Sequence, residues 1–244
     1  MSNSPTFSIG LVVEAAADEE TTQLLVDRTL STSVPWATEE LLGSLRGWRG
    51  IEPETSVTYW KNVPELARQQ GLSINTHGHF DGKPGAPDAR AARRALLLFK
   101  RTGMPDAIIL VRDADNQTRR LRGLQQARAE AANPERIAIG VARPEREAWI
   151  LAGFEPLDQR ERSALADQRR ELGFDPTREP HRLGGHGKRE AKAILGRLVH
   201  GDRERVSEIL HTCSLETLEE RGKRCGLTDF LEEVRDRVAV LLTR

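Results

Sequence analysis

The first hydrophobic run, Phe7 to Val13 (F-S-I-G-L-V-V), predicts a strand that stops at Glu14. Ala15 to Ala17 form a small-residue turn into a helix beginning near Asp18, with Leu24, Leu25 and Leu30 on its buried side. Asp18, Glu19 and Glu20 crowd the first turn, where negative charge suits the helix dipole. Further on, the pattern predicts a short helix over Thr38 to Leu45, a strand over Val57 to Trp60 and a brief helix beyond Pro64. Ser73 to Pro87, rich in Gly and Pro, reads as a loop. From Asp88 to about Arg101, Ala92, Ala95, Leu96 and Phe99 recur at helical spacing, with Arg90, Arg93 and Arg94 on the other sides. Gly103 and Pro105 stop that helix.

The central stretch is Asp106 to Asp115, D-A-I-I-L-V-R-D-A-D. Ile108 to Val111 suit a strand buried on both faces, and it ends in Arg112, Asp113 and Asp115. A helix is expected from about Thr118 to Ala132, with Leu121, Leu124 and Ala131 inward, and Asn133-Pro134 ends it. Ile137 to Val141 is the next strand. Strand and helix alternate throughout, which predicts an α/β fold: a mainly parallel sheet with helices on both faces. Beyond Glu145 only helical stripes are visible: Ala191, Ile194, Leu195 and Leu198; Val206, Ile209 and Leu210; Leu227, Phe230, Leu231 and Val234. The division expected is an α/β domain over 1–155 and a helical C-terminal region, 156–244, packed on it.

Composition adds constraints. Lys plus Arg and Asp plus Glu both number 37, so nucleic-acid binding would have to come from local patches rather than overall basicity. Two cysteines, Cys213 and Cys225, make no disulfide framework and fit a reducing cytoplasm. No run approaches membrane-spanning length, and the N-terminus has no positive leader followed by an apolar core.

The chemistry lies in the acids. Three predicted strands end in carboxylates: Glu14 with Asp18 one turn on, Asp113 with Asp115, and Glu145 with Glu147 in P-E-R-E-A-W-I-L. Were these strands neighbours, six acids would share one edge of the sheet, and such a cluster repels itself unless cations or protons intervene. Oxygen-only ligands suit magnesium or manganese. For Asp113 and Asp115 taken alone, a solvated loop whose aspartates cap the next helix is the plainer explanation.

V-V-E-A-A-A-D, R-D-A-D and P-E-R-E-A-W-I-L, in this order, resemble the motifs of the Toprim fold, found in topoisomerases, bacterial primases and the overcoming-lysogenization-defect nucleases. The first looks like the V-E-G-x-x-D version used by the nuclease branch, with Ala15 in place of the family's glycine. The third is similar to an E-x-E-x-W segment of small standalone Toprim proteins. The resemblance spans roughly the first 150 residues, a typical domain length. It implies a metal-dependent nuclease with two Mg²⁺ or Mn²⁺ ions about 3.5–4 Å apart, held by Glu14, Asp113 and Asp115, with Asp18, Glu145 and Glu147 completing the second site or orienting water. Glu14 as general base is the other role open to it. The nuclease branch also uses a lysine after the acidic motifs, and L-G-G-H-G-K-R-E-A-K offers Lys188 and Lys192. Either could stabilise charge on a cleaved phosphate; a flexible loop and a solvated helix explain the same residues.

Arg119, Arg120 and Arg122 could grip a nucleic-acid backbone, DNA ahead of RNA, although a solvated helix face accounts for them almost as well. The resemblance also suggests a role in antiviral defence, with a separate ATPase subunit and a homo-oligomer left open. Two rival functions stand: a non-catalytic Toprim-like subunit that regulates an ATPase partner, and a phosphatase using the D-x-D. His77, His79 and Asp81 read as a polar loop rather than a transition-metal site, and His181 and His186 are treated alike.

Overall fold

The computed structural model describes residues 7–72, 78–115, 117–184 and 187–243. The chain gathers into two compact units, one formed by Met1–Arg112, Gln117–Gly140 and Glu232–Arg244, the other by Asp113–Asn116 and Val141–Leu231.

The first unit is built on β1 (Phe7–Val13), in which every residue but Ser8 is buried. Burial on both faces is what a central parallel strand requires, and it explains the near-continuous apolar run. The helix α1 (Ala16–Ser33) follows, starting two residues earlier than its acidic turn suggested, and buries Leu25, Val26 and Leu30 with Thr21, Thr22 and Thr29. Leu24, expected inward, is only partly covered. After α2 (Glu39–Leu45), β2 (Arg46–Arg49) runs parallel to β1 from Phe7↔Arg46 to Gly10↔Arg49. The short β3 (Thr58–Tyr59) pairs with Val12 and Val13 further along β1. Trp60 opens a 3-10 turn rather than closing the strand, and α3 (Val63–Gln69) carries Pro64 in its first turn, where the missing N–H costs nothing.

Inside the expected loop lies a small hairpin, β4 (His79–Phe80) against β5 (Lys83–Pro84), turned by Asp81 (φ 49°) and Gly82 (φ 72°). Two left-handed residues in a two-residue connection are what the D-G pair favours. His77 lies outside the described residues. Helix α4 (Ala89–Thr102) leads to β6 (Ala107–Asp113), which is parallel to β1 on the edge opposite β2 and β3, with Ile9↔Ala107 and Val12↔Leu110 in register. Helix α5 (Arg120–Ala129) buries Arg120, Gly123, Leu124 and Ala127; Leu121 is partly exposed, and Ala131, expected inward, lies beyond the helix end and is partly exposed too. Gly123 lets it approach the loop before α4, for a Cβ there would sit 1.8 Å from the Pro87 carbonyl oxygen. β7 (Ile137–Ala142) completes the order β2-β1-β6-β7.

From β1 the chain steps to β2 in one direction; from β6 it steps to β7 in the other. Right-handed crossovers then place α1 and α5 on opposite faces of the sheet. The reversal falls between β1 and β6, where open parallel sheets leave a crevice beyond the strand ends.

The second unit is helical: α6 (Arg146–Gly153), α7 (Gln159–Leu172), α8 (Ala191–Leu198), α9 (Arg203–Thr212), α10 (Leu215–Gly222) and the start of α11 (Leu227–Val234). Asp158, Asp202 and Ser214 accept amide hydrogen bonds at the starts of α7, α9 and α10. Helix α6 packs against α8, α9 and α10. Its Trp149 stacks on Phe230, with ring centroids 5.1 Å apart, and the indole N–H donates to the Cys225 carbonyl at 2.9 Å. The stripes read at Ala191 to Leu198 and Leu227 to Val234 are buried. On α9, Val206 is only partly covered, and Arg205 takes the inward place, its Nε 2.8 Å from Glu161 Oε1. Burial pushes the Cys225 thiol up to about 12, so it stays protonated and inert at neutral pH. No described helix is long and apolar enough to cross a membrane.

Within α11, at Glu232, the chain rejoins the first unit. Glu233 accepts from Arg128 at 2.5 Å and from Arg237 at 2.6 Å, and Arg237 also donates to the Pro134 carbonyl.

Candidate functional site

In the first unit, the residue after β1 meets cations that belong to the protein itself. Continuing the register beyond Val12↔Leu110 sets Glu14 opposite Arg112, and Arg112 Nε lies 2.8 Å from Glu14 Oε1. The same guanidinium reaches Asp88 Oδ1 at 2.7 Å and lies over the Trp60 ring, 5.1 Å from its centroid. Trp60 is itself fixed by donating its indole N–H to the Val111 carbonyl at 2.7 Å. Arg120 completes the group, 2.5 Å from Asp88 Oδ2 and 3.5 Å from Glu14. Two carboxylates and two guanidiniums, all largely shielded from water, balance in charge. Asp88 adopts a left-handed φ of 65°, a conformation that costs an L-residue about 1–2 kcal/mol and that its two arginine partners help to hold.

Asp18 sits at the third position of α1, 8% exposed, and accepts the Ala15 N–H at 2.8 Å. This is the returning half of a capping box, placed where the helix dipole favours an anion. Arg119, the residue before α5, and Arg122, in its first turn, are exposed, whereas Arg120 is buried in the ion-pair group.

The second unit holds the other acids. Asp113 Oδ1 accepts the Arg146 N–H at 2.8 Å, so the carboxylate rests on the first turn of α6. Beyond β6 the chain keeps pairing with the segment after β7: Ala114 N–H donates to Ala142 O at 2.7 Å and Asp115 N–H to Pro144 O at 2.8 Å. Asp115 is exposed in a left-handed turn, φ 46°. Glu145 is the residue before α6, and its Oε1 accepts the Lys192 N–H at 3.0 Å, which ties it to the start of α8. Glu147 is 9% exposed and takes Arg146 Nη2 at 2.8 Å.

Glu145 differs from the rest in its ionisation. Burial raises its pKa; the amide bond from Lys192 opposes this, but the charges of Glu147, Glu190 and Asp115 raise it further. Lys188, in a 3-10 turn, and Lys192, at the start of α8, are both exposed. His181 is drawn below its ordinary value by burial first and by Arg224 next. His79 is exposed, Asp81 gives its N–H to Glu130 at 3.1 Å, and His186 lies outside the described residues.

Among the described residues no group of three or more His, Cys, Asp and Glu side chains is arranged to hold a metal ion. The acids of this unit offer the oxygen chemistry that a hard dication takes, although they are not gathered into a ligand set. Asp113, Asp115, Glu145, Glu147 and Glu190 offer only oxygen, and the like charges around Glu145 would be relieved by one.

Asp88, Arg112, Arg146 and Glu190 were not singled out from the sequence. Arg112 was the most accessible of them: it stands inside R-D-A-D, and strand alternation turns it away from Asp113.

The fold class is that expected, α/β with a mainly parallel sheet flanked by helices and further helices towards the C-terminus. Set against family models, curated proteins and solved structures, the chain matches none, and the resemblance to Toprim proteins rests on the three motifs themselves.

Proposed function

We propose that the protein is a metal-dependent phosphodiester hydrolase of Toprim-like type, with Mg²⁺ or Mn²⁺ taken up by Asp113, Asp115 and Glu145. The single observation that carries this reading is Glu145, a half-buried carboxylate whose ionisation is opposed by burial first and then by the negative charges of Glu147, Glu190 and Asp115. A bound dication would lower that repulsion and, in such sites, supplies a Lewis acid and an activated water. Glu147 adds negative field while remaining tied to Arg146. Lys188 and Lys192, both exposed, are the cations we assign to a phosphate. Glu14 and Asp18 are already satisfied by Arg112 with Arg120 and by the Ala15 amide, and the metal set is drawn without them.

Nicking of supercoiled plasmid in Mn²⁺ tests the proposal. Wild type should relax the plasmid, and the Asp113→Ala/Asp115→Ala pair should fold normally and cut at least ~100-fold more slowly, in line with losing a principal source of transition-state stabilisation. Undiminished cutting by the double variant would refute it.

A second reading is favoured by one observation. Glu14, the residue that carries the first Toprim-like motif, is neutralised by arginines. That suits a non-catalytic Toprim-like subunit which regulates a partner such as an ATPase. A wild-type protein that binds Mn²⁺ yet never nicks plasmid would select this alternative.

A further inference from the structure

The protein is neutral overall, but its charge is unevenly spread. Helices α4 and α5 pack together and carry Arg90, Arg93, Arg94, Lys100, Arg101, Arg120, Arg122 and Arg128 with no Asp or Glu within either helix. Some of these cations are answered from elsewhere: Arg93 by Glu130, Arg120 by Asp88 and Glu14, and Arg128 by Glu233. Arg90, Arg94, Lys100 and Arg101 have no ion-pair partner among the described residues.

Their spacing matters as much as their number. Ala89, Ala92, Ala95, Leu96, Leu98 and Phe99 take the buried side of α4, which leaves Arg90, Leu97, Lys100 and Arg101 exposed and Arg93 and Arg94 half-covered beside them. At 1.5 Å per residue the row from Arg90 to Arg101 is about 16 Å long. On the packed neighbour, Arg119, the residue before α5, and Arg122 in its first turn are exposed. A straight row of arginines on a rigid element suits an extended polyanion, since each guanidinium can bind phosphate oxygens in pairs.

We propose that the outer face of α4, extended by Arg119 and Arg122 at the start of α5, binds the phosphate backbone of nucleic acid. The choice of nucleic acid over other polyanions rests on the hydrolase reading; the location rests on the charge distribution alone. The contact is to backbone and carries no sequence preference of its own. Duplex DNA presents one phosphate per roughly 1.7 Å of axis, so the row spans enough charge for every cation in it to find a partner.

The test is fluorescence anisotropy with a short labelled DNA duplex, in EDTA so that cleavage plays no part. Reversal of Arg90, Arg94, Lys100 and Arg101 to Glu should weaken binding more than ~10-fold and reduce the slope of log affinity against log salt by about three to four. Reversal of Arg160, Arg203, Lys223 and Arg224, all exposed in the other unit, should change neither by more than ~2-fold through long-range charge alone. If the four-fold reversal disturbs folding, Arg90→Gln with Arg101→Gln should still lower the salt slope by about two. Equal binding by the α4 variants and wild type overturns the proposal, and so does a wild type that binds polyglutamate but not DNA. Binding that depends on the α4 row in a protein that never nicks DNA upholds it while removing the hydrolase reading.

Discussion

The cluster after β1 and the cluster before α6 are made from the same kind of residue and are left in opposite states. At Glu14 and Asp88, each carboxylate faces two guanidiniums, and the group is electrically complete. At Glu145, burial first and then the charges of Glu147, Glu190 and Asp115 oppose ionisation, although Glu147 is itself paired with Arg146. Acids at strand ends are therefore not one class. Those matched by arginine contribute to stability, whereas those facing their own kind hold free energy that a cation could release.

The largest expected effect comes from breaking the matched cluster. Arg112→Ala leaves Glu14 and Asp88 short of charge and removes the contact with Trp60, so it should lower unfolding free energy by about 2–4 kcal/mol in urea titrations. Adding Glu14→Gln should recover part of that loss, because the uncompensated charge goes with it. If Arg112→Ala were neutral, the two clusters would not differ as described.

Next comes the response to metal. Saturating Mn²⁺ should stabilise wild type by about 2–3 kcal/mol at a hundredfold excess over Kd, read as a rise in Tm. Asp115→Asn and Glu145→Gln should each abolish the rise, and Glu14→Gln should leave it intact. A rise lost in Glu14→Gln would move the cation to the first unit.

The smallest effect is the pH dependence of Glu145. Its folded pKa lies above the unfolded one, so the folded state holds the proton more tightly. Stability from this group is full below the unfolded pKa and is lost as pH rises through the folded value. Glu145→Gln has no charge to lose, and its advantage over wild type should grow from acidic to neutral pH in metal-free buffer. Parallel stability curves would show that Glu145 is not under strain.

Much of this was legible in the residues. β1, β6 and β7 were visible because burial on both faces leaves uninterrupted apolar runs such as I-I-L-V at Ile108 to Val111. β2 was not, since R-G-W-R is half-exposed along its length and is made a strand by its pairing with β1 rather than by its own pattern. The β4–β5 hairpin could have been read from Asp81-Gly82. At the candidate site, the acids were found by their position after strands. Their partners were not, because the pairing of Glu14 with Arg112 depends on the register of strands 98 residues apart in the chain.

Residues 232–244 have a consequence for synthesis. They belong to the first unit, although the whole of the second is translated before them. On the ribosome, Arg128 and the Pro134 carbonyl must wait for Glu233 and Arg237 while more than ninety intervening residues emerge. A nascent chain stalled before Glu233 therefore carries a first unit still missing part of its contacts, and its completion waits for a segment made after the whole of the second unit.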